Sequence, residues 1–214
     1  MKNTDYNKIM KEIISKFDKK PRLLLHSCCA PCSSSVLTRL LQFFDITIFF
    51  YNPNMDTLEE FTKRQSEEIR LVEELNKEFD SNIDIVKCQY DKNEYLTQVK
   101  GLEDNKEGGK RCEKCFRLRL EKTCQYAKKH QFDYFTTTLS VSPYKNSKLL
   151  NEIGEELEKK YGVNYLYSDF KKEEGYRKSI ELSKRYNLYR QNYCGCEFSK
   201  KARELFEKNA LTEV

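Results

Sequence analysis

The chain has 214 residues, of which 38% are hydrophobic and 34% are charged, and its net charge is +5 at neutral pH. This length suits one well-packed α/β domain and is too short for two of ordinary size. The modest positive charge permits a nucleic-acid partner without requiring one. No apolar run approaches the roughly 20 residues of a membrane-spanning helix, and charges throughout the first 20 residues argue against a secretory signal. We therefore expect a cytoplasmic protein that makes no use of a membrane.

Hydrophobic periodicity predicts strands and helices that alternate along the chain. Residues 1–20 carry apolar side chains at helical spacing, which predicts an amphipathic helix packed on the domain. Strands are predicted at 23–25, 46–51, 83–86, 132–139 and 164–167. Further helices are predicted at about 33–44, 57–79, 92–99, 111–130, 147–161 and 176–186, and from about 199 onward. This alternation predicts an α/β fold in a single domain spanning 1–214, with a parallel five-stranded sheet covered by helices on both faces.

Three cysteines, Cys28, Cys29 and Cys32, lie between the first strand and the next helix, for which the serines at 33–35 offer N-caps. Ligands bind at the carboxyl ends of strands in open α/β sheets. A helix N-terminus there also favours the thiolate form of a cysteine. We therefore interpret these cysteines as metal ligands or redox groups.

A second pair, Cys112 and Cys115, lies three residues apart at a predicted helix start, so the two side chains share one face. The strand-to-helix junctions of a parallel sheet open on one edge, which would let all five thiols meet. Nine cysteines in a reducing compartment indicate metal binding or thiol chemistry more than a disulfide framework. Sulfur ligands suit zinc or an iron–sulfur cluster, and the ample core favours the latter. Cys88 and Cys124 are interpreted as small buried hydrophobes.

The segment Cys194-Gly195-Cys196 is a different kind of feature. Two cysteines separated by one glycine can form a strained disulfide, and such disulfides are redox-active. The alternatives are two more metal ligands or two inert thiols. His26, at the end of the first strand, is predicted to be a hydrogen-bonding histidine of the core or of the surroundings of the site.

Two further pairs of residues lie near the predicted edge of the site. Tyr144 with Lys145, and Tyr189 with Arg190, could hold a stacked base and a phosphate of a nucleic acid. Solvated loop residues are an equally good interpretation of their composition.

Four separated motifs together resemble the cobalamin-independent epoxyqueuosine reductases of the QueH family. The resemblance runs over nearly the whole chain from about residue 21. The motifs are HSCCAPC at 26–32, RCEKCFRLR at 111–119, TTLSVSPYK at 137–145 and LYRQNYCGCEFS at 188–199.

The resemblance implies a Rossmann-like (HUP-like) fold and the last step of queuosine synthesis, the two-electron deoxygenation of epoxyqueuosine at the wobble position of tRNA. It also implies a four-iron, four-sulfur (4Fe-4S) cluster beside a separately bound mononuclear iron, and an electron donor that the sequence does not identify. The partner would be tRNA carrying epoxyqueuosine in its anticodon loop. Carried over by residue, the cluster ligands would be Cys28, Cys29, Cys112 and Cys115, the redox-active pair Cys194 and Cys196, and Cys32 a candidate ligand of the second iron.

Two other functions compete with this interpretation. The first is a zinc module with four cysteine ligands that binds RNA without catalysis. The second is an ATP-dependent tRNA-thiolating enzyme on the same fold. Such an enzyme normally needs a glycine-rich phosphate loop after the first strand, where this chain has cysteines and Pro31.

Overall fold

A computed structural model describes residues 4–212 of the chain and contains a five-stranded, all-parallel sheet in the order β3-β2-β1-β4-β5. The strands are β1 (Arg22–His26), β2 (Asp45–Phe50), β3 (Asp84–Lys87), β4 (Tyr134–Thr137) and β5 (Asn164–Tyr165). The helices are α1 (Tyr6–Ile14), α2 (Ala30–Leu40), α3 (Leu58–Phe79), α4 (Lys92–Val99), α5 (Lys110–Lys129), α6 (Ser147–Tyr161), α7 (Gly175–Arg185) and α8 (Glu197–Thr212). The predicted Rossmann-like α/β fold is confirmed. Among the described residues, no helix combines the length and apolarity needed to cross a membrane.

Both faces of the sheet are covered, as the apolar strands predicted. In β1, the side chains of Leu23 and Leu25 pack on one face with residues of α1, α2 and α3. Leu24 points to the other face and packs with residues of α5 and α6. A parallel sheet needs such cover on both sides because neither face is polar.

Helix α2 begins earlier than predicted, and the serines do not cap it. Its first residue is Ala30 and its N-cap is Cys29, whose side chain makes no capping hydrogen bond. Proline is tolerated in the first turn because an amide hydrogen is not needed there, so Pro31 lies within the first turn and does not delay the helix. The hydroxyls of Ser33 and Ser34 instead donate to the carbonyls of Cys29 and Pro31.

Other predicted boundaries also differ. The fourth strand ends at Thr137, because the hydroxyl of Thr137 accepts from the Leu139 amide and starts a 3-10 turn, Thr138–Val141. The fifth strand pairs only through Asn164 and Tyr165. The N-terminal helix spans only Tyr6–Ile14, and residues 1–3 lie outside the described part of the chain.

Helix α3 begins with half of a capping box. The hydroxyl of Thr57 accepts from the Glu60 amide, 3.1 Å away. The Glu60 carboxylate does not complete the capping box, because it binds the Arg64 guanidinium at 2.6 Å.

The order of the strands creates a topological switch point between β1 and β4. From β1 the chain proceeds to β2 and β3 on one side, and then returns to β4 and β5 on the other. The loops that follow β1 and β4 therefore diverge at the carboxyl edge, which is where ligands bind in open α/β sheets. The segments 27–29 and 142–146 lie at this switch point.

Candidate metal centre

Three thiols converge at the switch point. The sulfur atoms of Cys28, Cys29 and Cys32 all lie within 4.8 Å of one another, and those of Cys28 and Cys29 are 3.7 Å apart. Cys28 and Cys29 are buried, and Cys32 is half-buried. The first turn of α2 produces this convergence, because Cys29 caps the helix and Cys32 lies one turn further on. Three sulfur donors at such spacing can share one soft metal ion or cluster.

The environment of this triad favours one thiolate. Hydrogen bonds from the thiols of Cys28 and Cys32 lower the pKa of Cys29 well below its usual value, and the charge of Arg64 lowers it further against the effect of burial. The same contacts raise the pKa of Cys32. The triad is therefore ready to bind a cation through Cys29 without first losing all three protons.

A second group of thiols forms where α5 begins. Cys115 packs with Cys196, which immediately precedes α8, in one cluster of buried side chains. Cys112 packs against the large cluster of apolar side chains to which Cys28, Cys29, Cys88 and Cys124 also belong. Within the described residues, the only group of three or more possible ligands whose donor atoms lie within 4.8 Å of one another is Cys28, Cys29 and Cys32, so the structure does not bring all five predicted thiols together. Burial raises the pKa of Cys115 to about 12, with smaller contributions from the nearby charges of Cys194, Cys196 and Cys112. All nine cysteines are free thiols.

Buried cations surround these thiols. The Arg119 side chain is about 1% exposed, its Nε donates to the carbonyl of Cys115, and its Nη2 has no hydrogen-bond partner within the described residues. Arg64 is equally buried, and its Nη1 donates to the carbonyl of Cys194. A buried guanidinium is costly unless an opposite charge compensates it. Arg64 is paired with the Glu60 carboxylate at 2.6 Å, whereas Arg119 has no carboxylate partner among the described residues. Arg119 therefore fits a site that carries negative charge on its sulfur atoms.

Neither arginine was predicted from the sequence. Arg119 lies four residues after Cys115 on the same helix, and this spacing was the available signal for it. Arg64 belongs to α3, far from the cysteines in sequence, and nothing local to it pointed to the site.

His26 has the role that the sequence predicted. It is fully buried, its Nδ1 lies 2.9 Å from the Thr137 hydroxyl, and its Nε2 lies 3.1 Å from the Tyr51 carbonyl. A carbonyl only accepts, so Nε2 carries the hydrogen and Nδ1 accepts from Thr137. Burial, together with the charge of Arg119, lowers the pKa of His26 to about 3. The ring is therefore neutral and ties the end of β1 to β4.

A cavity of about 360 Å³ opens onto the triad. Of the residues predicted to bind substrate, Tyr144, Lys145 and Arg190 line it, and so does Cys194. Burial lowers the pKa of Lys145, but the charges of Cys194, Cys28 and Cys32 outweigh burial and raise it above its usual value. A protonated lysine thus faces a space bounded by thiols.

Tyr189 is not brought into this cavity lining. Its hydroxyl donates to the Glu60 carboxylate at 3.2 Å, and the ammonium of Lys63 lies 3.6 Å from the centre of its ring. The backbone amide of Tyr189 donates to Glu67. These contacts fix the loop 189–193 on α3, which in turn places Arg190 at the cavity.

Of the two cysteines predicted to be buried hydrophobes, Cys124 is buried and Cys88 is only half-buried. Cys124 is fully buried in the core, where its thiol lies 3.8 Å from the Leu157 carbonyl. Cys88 is half-buried against the same cluster of apolar side chains. Burial raises the pKa of both thiols to about 12, so both keep their protons at neutral pH.

Gly195 lies where a side chain has no room. Its φ angle is +123°, and a Cβ atom would lie 2.7 Å from Met55 Sδ and 3.1 Å from Arg64 Nη1. Its carbonyl accepts from the Asp56 amide at 2.9 Å. The glycine thus lets the loop that carries Cys194 and Cys196 pass close to the buried arginine.

We expect Gly195→Ala to lower the free energy of unfolding by about 1–3 kcal/mol for backbone strain and by about 1–3 kcal/mol more for overpacking. The matched control is Gly101→Ala, because Gly101 has a φ of +80° with nothing within 4 Å of the added atom. Urea unfolding of both variants measures the difference. Equal losses in the two variants would show that Met55 and Arg64 do not restrict the loop.

A buried carboxyl group lies behind the triad. Glu68 of α3 is fully buried, and neither of its oxygen atoms has a hydrogen-bond partner within the described residues. The neighbouring hydroxyls of Ser27 and Ser33 are 2.5 Å apart and bond to each other. Burial raises the pKa of Glu68 to about 8, an effect that the nearby Ser33 and Ser27 offset only in part. Glu68 is therefore protonated at neutral pH.

We expect Glu68→Gln to remove a pH dependence of stability. In the unfolded chain Glu68 loses its proton near pH 4.5 and in the folded protein near pH 8, so its contribution is complete below pH 4.5 and is lost as the pH rises through 8. The wild-type free energy of unfolding should fall by about 1.4 kcal/mol per pH unit within this window. Urea unfolding across the window tests this. The exposed Glu73→Gln should behave like wild type, and a Glu68→Gln variant with the wild-type slope would contradict the assignment.

The fold and the site define a Rossmann-like protein with three converging thiols and a buried, unpaired Arg119 near its switch point, a group that can hold a soft metal beside a cavity open to a ligand. Comparison with known proteins supports a narrower statement. The family model described as "Epoxyqueuosine reductase QueH" matches residues 23–202, and the chain belongs to this family.

The alignments with known relatives cover most of each relative's length. The chain is 42% identical to epoxyqueuosine reductase QueH of Streptococcus pyogenes over 200 residues, which is 92% of this chain and 78% of the relative. It is 42% identical to the protein of that name from Staphylococcus aureus over 206 residues, 93% of this chain and 86% of the relative. For the Thermotoga maritima protein the identity is 39% over 178 residues, 83% and 89% of the two chains.

Proposed function

We propose that this chain is an epoxyqueuosine reductase, an oxidoreductase that removes the epoxide oxygen of epoxyqueuosine at the wobble position of tRNA and yields queuosine and water. The reaction consumes two electrons and two protons. The observation that carries the proposal is the convergence of Cys28, Cys29 and Cys32 within 4.8 Å beside a cavity large enough to admit part of a nucleoside. Membership in the QueH family supports the choice of substrate.

We propose that Cys28, Cys29, Cys112 and Cys115 hold a 4Fe-4S cluster, and that Cys32 holds an additional mononuclear iron. The donor set supports this, because it consists of thiols and soft thiolates select iron–sulfur clusters or zinc. The buried guanidinium of Arg119, which has no carboxylate partner among the described residues, also fits a group that bears negative charge. When bound, such a group supplies electrons and a Lewis acid for the epoxide oxygen.

The protein residues prepare the site for this chemistry. Arg64 favours the thiolate form of Cys29, and the neutral ring of His26 fixes the strand end from which Cys28 and Cys29 extend. Lys145 carries its proton on Nζ at the cavity wall, where it can contact an anionic group of the substrate. These residues hold the Cys29 thiolate and the Lys145 ammonium in place before the substrate binds.

Metal analysis tests the proposed cofactors. Protein purified without oxygen should be brown, contain iron and acid-labile sulfide, and lose colour on reduction. A colourless protein with about one zinc per chain would favour the zinc module, since zinc also accepts tetrahedral thiolate ligands. Cys32→Ser should keep the cluster absorbance and lose the additional iron, whereas loss of colour would place Cys32 among the cluster ligands.

We propose that Cys194 and Cys196 form a dithiol that passes electrons from an unidentified donor. Cys194 lines the cavity, Cys196 packs beside Cys115, and the single glycine between them permits a small ring. Cys194→Ser and Cys196→Ser should each keep the cluster spectrum and lose multiple turnover. Loss of iron from either variant would make the residue a ligand, and normal turnover of both with the physiological reductant would exclude the relay.

We propose that tRNA binds across the cavity with phosphate contacts from Lys145 and Arg190. Both line the cavity, and the Arg190 guanidinium is held 5.5 Å from the ring of Tyr176. Affinity for tRNA should fall as salt rises, because each phosphate contact releases counterions. Binding that does not depend on salt, or equal turnover of the free nucleoside, would argue against this surface. The work of such an enzyme on tRNA also accords with the cytoplasmic location expected from the sequence.

A further inference from the structure

One wall of the cavity comes from a part of the chain that lies mostly outside the family match. Residues Ser199, Ala202, Arg203 and Phe206 of α8 line the cavity, and two of them, Arg203 and Phe206, lie beyond the matched segment 23–202. Their spacing of i, i+3, i+4 and i+7 places them on one face of the helix. This face of α8 is therefore turned toward the thiols, although the helix itself was not among the predicted site residues.

The helix projects from the rest of the protein. Every side chain from Lys201 to Ala210 is exposed, so little packing holds this part of α8 in place. Helices of this length are marginally stable on their own in water, and a partner that covers one face would stabilise the helix.

Two exposed aromatic rings lie at this cavity. Tyr144, in the loop after β4, is 79% exposed, and Phe206 is 64% exposed. Single exposed apolar side chains are common, but two aromatic rings that line the same cavity offer a surface that a ligand can cover. The other tyrosines of the cavity are already engaged, since Tyr193 donates to the Asp56 carboxylate and Tyr176 packs beside Arg190.

The charge around the two rings selects the partner. Three cations, Lys145, Arg190 and Arg203, line the cavity with one carboxylate, Glu107. Arg203 is paired with the Glu207 carboxylate at 2.7 Å, so Lys145 and Arg190 supply most of the positive charge. Exposed aromatic rings interspersed with cations are the surface that single-stranded nucleic acid prefers, because bases stack on the rings and phosphates contact the cations. A purely apolar partner would not need these charges.

We propose that Tyr144 and the α8 residue Phe206 are stacking platforms for unpaired bases of the anticodon loop, on either side of the nucleoside that enters the cavity. This inference rests on the proposed function and adds α8 to the RNA-binding surface. The Arg203 guanidinium lies 5.5 Å from the Phe206 ring. It restricts the motion of this ring and contacts the phosphate backbone of the RNA. An enzyme that acts on one base must hold it out of the stack, and platforms for its neighbours serve that purpose.

The chain contains no tryptophan, so one introduced tryptophan reports on its own surroundings. The probe is an anticodon stem-loop RNA carrying epoxyqueuosine, added to the metal-loaded protein. Emission of Phe206→Trp should be quenched by the RNA as a base stacks on the indole. Leu205→Trp is the matched control, because Leu205 is the adjacent residue, is 61% exposed and does not line the cavity. Its emission should change little.

Affinity gives an independent readout. Phe206→Ala and Tyr144→Ala should each weaken RNA binding about 5- to 150-fold, the effect of losing one stacked base, with metal content and helix content unchanged. Phe206→Tyr should bind like wild type, and so should Leu205→Ala.

Three outcomes would overturn the inference. If wild type binds the RNA and both alanine variants bind equally well, the bases lie elsewhere and only this inference fails. If wild type does not bind the RNA, the inference fails together with the proposed function. If light scattering shows that Phe206→Ala turns a dimer into a monomer and RNA binding is unaffected, the exposed face serves a second copy of the chain.

Discussion

Cys29→Ser is expected to abolish metal binding and to lower turnover by at least about 100-fold, since even residues outside the ligand shell cost about 10–100-fold in metal sites. The Cys29 thiol lies 3.7 Å from that of Cys28 and belongs to the triad. Cys29 is also the N-cap of α2 and makes no capping bond through its side chain. Serine is among the best N-cap residues. The variant should therefore keep or improve its stability while it loses its metal.

Cys124→Ser is the matched control for this loss. Its thiol is buried against the Leu157 carbonyl, away from the residues that line the cavity. A serine there can donate to the same carbonyl, so metal content and turnover should stay at the wild-type level. Iron analysis and thermal unfolding of both variants check the prediction. A Cys29→Ser protein that retains iron, or a Cys124→Ser protein that loses it, would show that the thiols are assigned wrongly.

Arg119→Met is expected to separate stability from metal affinity. The buried guanidinium has one unpartnered nitrogen and faces thiols whose protonated forms do not compensate its charge. Replacing buried charge with an apolar side chain of similar length is often neutral or stabilising by about 1–4 kcal/mol. The metal-free variant should therefore unfold at the same temperature as wild type or higher. Its metal affinity should fall about 10–100-fold, because the charge that favours thiolates is lost.

Arg117→Met on the same helix serves as the comparison. The Arg117 side chain is partly exposed and pairs with the Glu156 carboxylate at 2.7 Å. A surface pair of this kind contributes less than about 1 kcal/mol, and its loss should leave the metal in place. Thermal unfolding of the chelator-treated proteins and iron titration measure both effects. An Arg119→Met variant that is strongly destabilised and binds iron normally would give Arg119 a purely structural role.

The fold could be predicted well because its signals are local. Apolar runs and alternating helices define a parallel sheet, and the helices α4 and α6 begin and end where the sequence placed them. Boundaries failed where a single residue decides the outcome. Thr137 ends β4 by accepting from the Leu139 amide, and Pro31 in the first turn lets α2 begin at Ala30 without a side-chain cap. Such choices depend on competition among neighbours, which periodicity does not show.

The site could be predicted only in part, because the group of thiols around Cys115 and Cys196 is brought together by tertiary packing. The triad follows from its position between a strand and a helix. The approach of Cys196 to Cys115 depends on how the loop before α8 folds back onto α5. Arg64 and Glu68 come from the buried face of α3, where sequence alone would place apolar side chains. Tyr189 looked equivalent to Tyr144 in composition, and its contact with Glu60 distinguishes the two.

Mass analysis of tRNA nucleosides tests the central claim most directly. Protein loaded with iron and sulfide is incubated without oxygen, together with a chemical reductant and tRNA that carries epoxyqueuosine, and the tRNA is then digested. Wild type should convert epoxyqueuosine into a nucleoside one oxygen atom lighter, and Cys29→Ser at equal concentration should not. Unchanged epoxyqueuosine with the loaded wild-type protein, or equal conversion by Cys29→Ser, would contradict the proposal that the thiol centre carries out this reduction.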